Sequence, residues 1–206
     1  MARVTAEKVL QTKSGILEAA RQVLYEQGYS GLSTRSVATE ANVPLSQIQY
    51  HFGSKEGMLL ALYEYMNSQL LERQNAMFND PNLILSQKWD LACDYLDADI
   101  ASGYVRVFQE LMAAGWANPE IGQVVRNGTM GWIELITKLA QEAQDCHGSF
   151  ALFAPEDISA LVAAAFSGAE ANLLLGLEDQ GIPIRRALRR FGDVIRMFEQ
   201  GIKREE

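Results

Sequence analysis

The stretch Leu32–Lys55, LSTRSVATEANVPLSQIQYHFGSK, decides how the chain reads. It holds two short helical segments, a tight turn between them and the beginning of a third. Ser33 or Thr34 can cap the first segment, because a hydroxyl there accepts a backbone N–H that has no partner inside the helix. Val37, Ala38 and Ala41 give that segment one small apolar stripe. Asn42 tolerates the left-handed conformation required at a helix end. Pro44 suits the first turn of the next helix, where its missing N–H would be unpaired anyway. Ile48 and Phe52, one turn apart, anchor this second helix, leaving Leu45, Ser46, Gln47, Gln49 and Tyr50 to its other faces. A short helix that keeps so many side chains away from a core presents them to a partner.

Two helices of this size at this separation are what a helix-turn-helix requires. Around them stand Ile16-Leu17-Glu18-Ala19-Ala20, Gly28-Tyr29, Val37-Ala38, Ala41, Val43, Ile48, Tyr50-His51-Phe52, Ser54-Lys55-Glu56 and Leu59. In order and spacing this pattern resembles the TetR family of bacterial transcriptional regulators over about the first 60 residues. Agreement at many positions is more specific than one short motif. Asn42 replaces a common Gly of the family, Pro44 a common Ser, Ser46 a common Gly, and Gln49 the first of two aromatics before the His. Gln49 lies in the reading helix, so an operator sequence does not carry over from relatives.

Length and composition fit this reading. A chain of 206 residues accommodates one small and one medium domain. We expect a DNA-binding domain over residues 1–54 and a ligand-binding and dimerisation domain over residues 55–206. No apolar run approaches the ~18 residues of a membrane span. The first residues are too polar for a signal peptide, so a cytoplasmic location is expected. Cys93 and Cys146 show no metal-ligand spacing and read as reduced thiols. The net charge of −8 is unevenly divided, with +2 in residues 1–55 and −10 in the remainder. Phosphate contact is local, so a mildly basic first segment can bind DNA on an acidic chain.

Period-two alternation is absent and β-branched residues are never concentrated, which predicts an all-α protein of about nine helices. All five prolines precede stretches with helical spacing, and Gly28, Gly53, Gly103 and Gly181 read as helix ends. After a first helix over 5–27 and the helix-turn-helix, helices are expected over 55–78, 83–101 and 104–117. A seventh follows, capped by Asn118. Residues 156–178 are apolar around much of their circumference, the mark of a helix buried on more than one side. Residues 183–202 repeat apolar side chains at Ile184, Leu188, Phe191, Ile195, Phe198 and Ile202, flanked by Arg185, Arg186, Arg189 and Arg190.

Candidate sites follow. In the reading helix, Leu45, Ser46, Gln47 and Gln49 are candidates for base edges, since Gln pairs with adenine and Leu touches a thymine methyl. The resemblance implies that Thr34, Arg35, Tyr50, His51 and Lys55 contact the phosphate backbone, while Tyr50 and His51 also suit packing between the small domain and the fourth helix. The resemblance further implies an effector cavity. Its candidate lining is Trp89, Cys93, Leu96, Tyr104 and Phe108, with Met112, Trp116, Trp132, Phe166 and Glu170, although aromatic and Met side chains at helical spacing also make ordinary core. Either the last two helices close the monomer core, or, as the resemblance implies, they pair with their copies in a dimer. Leu161, Ala165, Ala169 and Leu173 of one and Leu188, Phe191, Ile195 and Phe198 of the other are the candidate interface.

No catalytic constellation, phosphate-cradling loop or metal-ligand cluster is present, so neither an enzyme nor a cofactor or metal is expected. His51 belongs to the motif, and His147 beside Cys146 lacks further partners. Asp94, Asp97 and Asp99 read as a solvated acidic helix face. The expectation is a homodimeric repressor released from double-stranded operator DNA by a small apolar or amphipathic effector. An activator, a corepressor-dependent regulator, and a helical sensor or carrier that has lost DNA binding are the alternatives.

Overall fold

Nine α-helices and no strand occur among the described residues. They are α1 (Ala2–Gly31), α2 (Thr34–Glu40), α3 (Leu45–Phe52), α4 (Lys55–Phe78), α5 (Leu85–Ala101), α6 (Tyr104–Gly115), α7 (Pro119–His147), α8 (Pro155–Leu174) and α9 (Ile184–Glu199). The computed structural model describes residues 2–148 and 153–200, with side chains except those of residues 2–8 and 147. Ile202, the end of the expected C-terminal seam, and His147's side chain lie outside the described residues. The helices form two compact units. One holds the chain up to Ser68 together with Asp99–Val125; the other holds Gln69–Ala98 together with the chain from Arg126 onward.

In the first unit, Ile16, Leu17, Ala20, Val23 and Leu24 form the buried stripe of α1, which breaks at Gly28 (φ 67°). Ser33 is the cap of α2, and the cap is reciprocal. Its Oγ accepts from the Ser36 N–H (3.1 Å), while Ser36 Oγ accepts from the Ser33 N–H (2.9 Å). Serine thus does at the third helical position what Glu or Gln usually does in a capping box. Asn42 adopts φ 51° in the turn. Pro44 sits at the cap of α3 rather than in its first turn, because its ψ of 144° is extended; its carbonyl accepts from the Gln47 N–H (2.8 Å).

Ser54 starts α4, its Oγ accepting from the Gly57 N–H at 3.0 Å. A Cβ on Gly57 would collide with the Phe52 carbonyl oxygen, so the end of α3 and the start of α4 approach as only glycine allows. A second close approach lies at Gly103, where φ is 81° and a Cβ would stand 2.6 Å from Leu24 Cγ. The α5–α6 turn is thereby seated on α1. Tyr63, Tyr104 and Phe108 stack with centroids 6.0–6.2 Å apart, and the Tyr104 hydroxyl donates to Asn67 Oδ1 at 2.8 Å.

In the second unit, α5 and α9 run antiparallel. Arg185 pairs with Asp97, Arg189 with Asp94 (2.7 Å) and Arg196 with Asp90 (3.0 Å). Asp94 and Asp97 are therefore half of an ion-pair ladder rather than a solvated face. The ladder ends on Glu199, whose carboxylate accepts from the Ser86 N–H (3.0 Å) and hydroxyl (2.6 Å) in the first turn of α5. The Trp89 indole N–H donates to the Leu188 carbonyl at 2.7 Å. Trp89 and Trp132 each meet the Phe166 ring edge-on, at 5.4 and 5.6 Å. Half-exposed ion pairs contribute about 0–1 kcal/mol each. Burying an aliphatic side chain such as Ile184 or Ile195 contributes about 1.5–3 kcal/mol. Packing therefore holds α9 down, and the charges select its register.

Unlike the helix buried on several sides that the sequence predicts, α8 buries only Ser159, Phe166 and Ala169 in the single chain. Leu161, Ala164, Ala165, Gly168 and Leu175 remain exposed.

Two measurements check this architecture. Gly57→Ala should destabilise the chain by about 1–3 kcal/mol through overpacking, read as a fall in Tm; an unchanged Tm would mean that the junction has room. Burial pushes the Cys93 thiol up to about 11, whereas Cys146 is exposed. Iodoacetamide at mildly alkaline pH should modify Cys146 and spare Cys93 in the folded protein, as mass spectrometry of the labelled peptides would show.

Candidate nucleic-acid interface

The eight residues of α3 divide cleanly. Ile48 is buried, Gln47, His51 and Phe52 are half-buried at its flanks, and Leu45, Ser46, Gln49 and Tyr50 form one outward stripe. Tyr50 is 73% exposed and Leu45 46%. The Tyr50 phenol stands away from the core, touching the His51 ring at 5.0 Å, while His51 also lies 6.0 Å from the Phe52 ring. The Gln49 side-chain amide donates to the Gly53 carbonyl at the end of its own helix. Its Oε1 acceptor remains on the exposed stripe. Gln47, grouped with these residues from the sequence, stands at the flank instead. An eight-residue helix leaves its rotation uncertain until its buried neighbours are known.

Other candidates lie on the helices that precede and follow α3 in the chain. Thr34 is half-buried in the first turn of α2, Arg35 beside it is exposed, and Lys55 opens α4 with its ammonium 5.7 Å from the Tyr29 ring centroid. Arg35 and Lys55 have no carboxylate partner among the described residues. Arg21, by contrast, is paired with Glu18, and that hydrogen bond holds the Glu18 carboxyl below the usual carboxylate range. The arrangement offers hydroxyl, amide and phenol groups on one stripe with unpaired cations beside it. These groups suit base edges and phosphate oxygens, respectively.

The effector candidates fall into two sets. Tyr104, Phe108, Met112 and Trp116 belong to the first unit; Trp89, Cys93, Leu96, Trp132, Phe166 and Glu170 belong to the second. Tyr104 and Phe108 complete the Tyr63 stack, and Trp116 is 83% exposed at the end of α6. Cys93, Leu96 and Phe166 are buried, with Trp89, Trp132 and Glu170 half-buried. A separate open cleft of about 510 Å³ in the second unit is lined by Leu83, Leu85, Lys88, Leu139, Cys146 and Arg196, none of them an effector candidate.

The interface candidates also divide. Leu161, Ala165 and Phe191 face solvent, Leu173, Leu188 and Phe198 are half-buried, and Ala169 and Ile195 are buried within the chain. The sequence reading missed Val194 and Met197, which with Phe191 form an exposed apolar stripe on α9; Met197 is 69% exposed. The signal was present as a second apolar stripe through Ala187, Phe191 and Val194, interleaved with the inward one. Among the described residues, no group of three or more His, Cys, Asp or Glu is placed to hold a metal, and no helix is long and apolar enough to cross a membrane.

Comparison with known proteins identifies the arrangement. Residues 16–62 match the family described as "Bacterial regulatory proteins, tetR family". The HTH-type transcriptional regulator CymR of Pseudomonas putida is 31% identical over 103 residues, covering 48% of this chain and 51% of CymR. The regulator UidR of Escherichia coli K12 is 27% identical over 139 residues, covering 65% and 66% respectively. The matched region thus spans about half to two thirds of these relatives. The fold is also that of a transcriptional regulator from Saccharomonospora viridis in complex with choline, at a TM-score of 0.69, 19% identity and coverage of 88% of this chain and 95% of that one. Residues 16–62 thus form a helix-turn-helix domain of the tetR-family type, in a chain whose fold is shared with solved regulators of that kind.

Proposed function

We propose that the chain is a homodimeric transcriptional repressor that binds operator DNA and is released by a small apolar or amphipathic effector. The outward stripe of α3 carries the reading: Leu45, Ser46, Gln49 and Tyr50 occupy an otherwise anchored helix and contribute almost nothing to the core. Leu45, Ser46 and Gln49 face base edges, Gln47 reaches them from the flank, and Gln49 Oε1 accepts from an adenine or cytosine amino group. Thr34, Arg35, Tyr50, His51 and Lys55 hold the phosphate backbone. Residues 1–54 act as the DNA-binding domain and residues 55–206 as the ligand-binding and dimerisation domain, working in the cytoplasm.

One eight-residue reading helix gives too little contact for specific binding, and a second copy supplies the rest. The open face of α8 and α9 favours that pairing. Phe191, Val194 and Met197 of α9, with Leu161 of α8 and Leu175 at its C-terminal cap, make an apolar surface that also carries Ala164, Ala165 and Gly168. Small residues let helices of two copies approach closely, and exposed apolar surface of this kind marks an association site. The effector binds within residues 55–206 and favours a state with a different separation of the two reading helices. DNA affinity then falls by the effector's differential affinity for the two states.

Selection from random duplexes should enrich a two-fold site with half-sites about 34–36 Å apart. On that site, Gln49→Ala should weaken specific binding by about 1–3 kcal/mol while leaving random-sequence binding nearly unchanged. Lys55→Ala should weaken both and reduce the salt slope by about 1. Equal losses on both DNAs for both variants would remove the base-contact assignment. Met197→Glu should convert the dimer to a folded monomer in analytical ultracentrifugation and abolish operator binding. A variant that remains dimeric would move the interface elsewhere.

A further inference from the structure

Gln74, in the second half of α4, is only 5% exposed. Its side-chain carbonyl oxygen Oε1 is buried and has no hydrogen-bond partner among the described residues. An unmet buried acceptor is destabilising and uncommon, so a use for it is expected. Four contacts bracket its level in the second unit. Toward α5, the Arg73 guanidinium lies 4.1 Å from the Tyr95 ring centroid and Lys88 donates to the Phe78 carbonyl, which sets Gln74 against the interval 88–95. Toward α7, the Leu71 side chain abuts Gly131, and Lys138 Nζ donates to Asn79 Oδ1 at 3.1 Å, which sets it against the interval 131–138. Those intervals contain Trp89 and Trp132, both packed on Phe166. Two donors in those intervals are already engaged: the Trp89 indole with the Leu188 carbonyl, and the Thr137 hydroxyl with the Ile133 carbonyl at 2.9 Å.

The stretch of the unit that holds this unsatisfied carbonyl oxygen therefore also holds three aromatic rings. We propose that Gln74 is the polar anchor of the effector site, accepting a hydrogen bond from a hydroxyl or N–H group on a flat, largely apolar molecule that packs against Trp89, Trp132 and Phe166. The inference rests on the effector reading above and specifies the ligand's chemical class. A hydrogen-bond donor is required, and a carboxylate directed at Oε1 is disfavoured by its charge.

Gln74→Met replaces the amide with an apolar chain of similar length, and its effect in the full chain without ligand has a diagnostic sign. Removal of an unmet acceptor should raise Tm by about 2–4 °C, whereas loss of a structural amide lowers it, and a lower Tm overturns the proposal. Calorimetric titration would then compare 2-naphthol with 2-methoxynaphthalene, which share their rings but differ in the donor. The native chain should bind 2-naphthol about tenfold more tightly, and Gln74→Met should bind the two equally. Equal affinities in the native chain, a preference that survives in the variant, or no binding of 2-naphthol overturns it. Neither arm contains DNA, so failure here leaves the operator reading standing, and failure of operator selection leaves these results unaffected.

Discussion

The dominant constraint is that α3 has eight residues, of which only Ile48 is fully buried. Isolated helices shorter than about 12–15 residues are marginal in water, and α3 turns half its side chains outward. Its conformation must be imposed by its neighbours. The Ser33–Ser36 capping box sets α2, the turn at Asn42 aims the chain, and the Gly57–Phe52 approach closes the far end. Val37 and Ala38, buried on α2, add to the apolar core of the unit in which Ile48 is buried. The outward stripe is possible because so much of the surrounding sequence serves to hold it.

Local features were legible in the sequence because their physics is local. Ser54 and Asn118 cap helices as read, with Asn118 Oδ1 accepting from the Glu120 N–H at 3.0 Å. Asn42 adopts the left-handed turn that its side chain tolerates. Helix phase and long-range pairing were less legible. Gln47 and Gln49 differ in exposure by the rotation of one short helix, which depends on what Ile48 meets. The partners of Asp94 and Asp97 lie about ninety residues away on α9, beyond any local signal. The exposed Val194–Met197 stripe overlaps an inward stripe of the same period, so spacing alone could not distinguish them. Gln74 carried no sequence signal, since its significance lies in a partner that is absent among the described residues.

The acidic balance of the chain acquires a structural role in the second unit. Three aspartates of α5 meet three arginines of α9, and Glu199 satisfies the first turn of α5. Each pair contributes little by itself, but together they specify one register. With that register set, α9 buries Ile184 and Ile195 while Phe191, Val194 and Met197 remain outside. The charge pattern thus governs which apolar face of α9 is left outside the core.

The central claim is that the outward stripe of α3 is the DNA-contacting surface. Amide hydrogen exchange of the full chain, free and bound to its selected duplex, tests it most directly. A helix with so little burial should exchange quickly when free. The account predicts strong slowing at residues 45–53 in the complex, with smaller slowing near Thr34 and Lys55. Unchanged exchange across residues 45–53, with the duplex bound and protection confined to other helices, would contradict it.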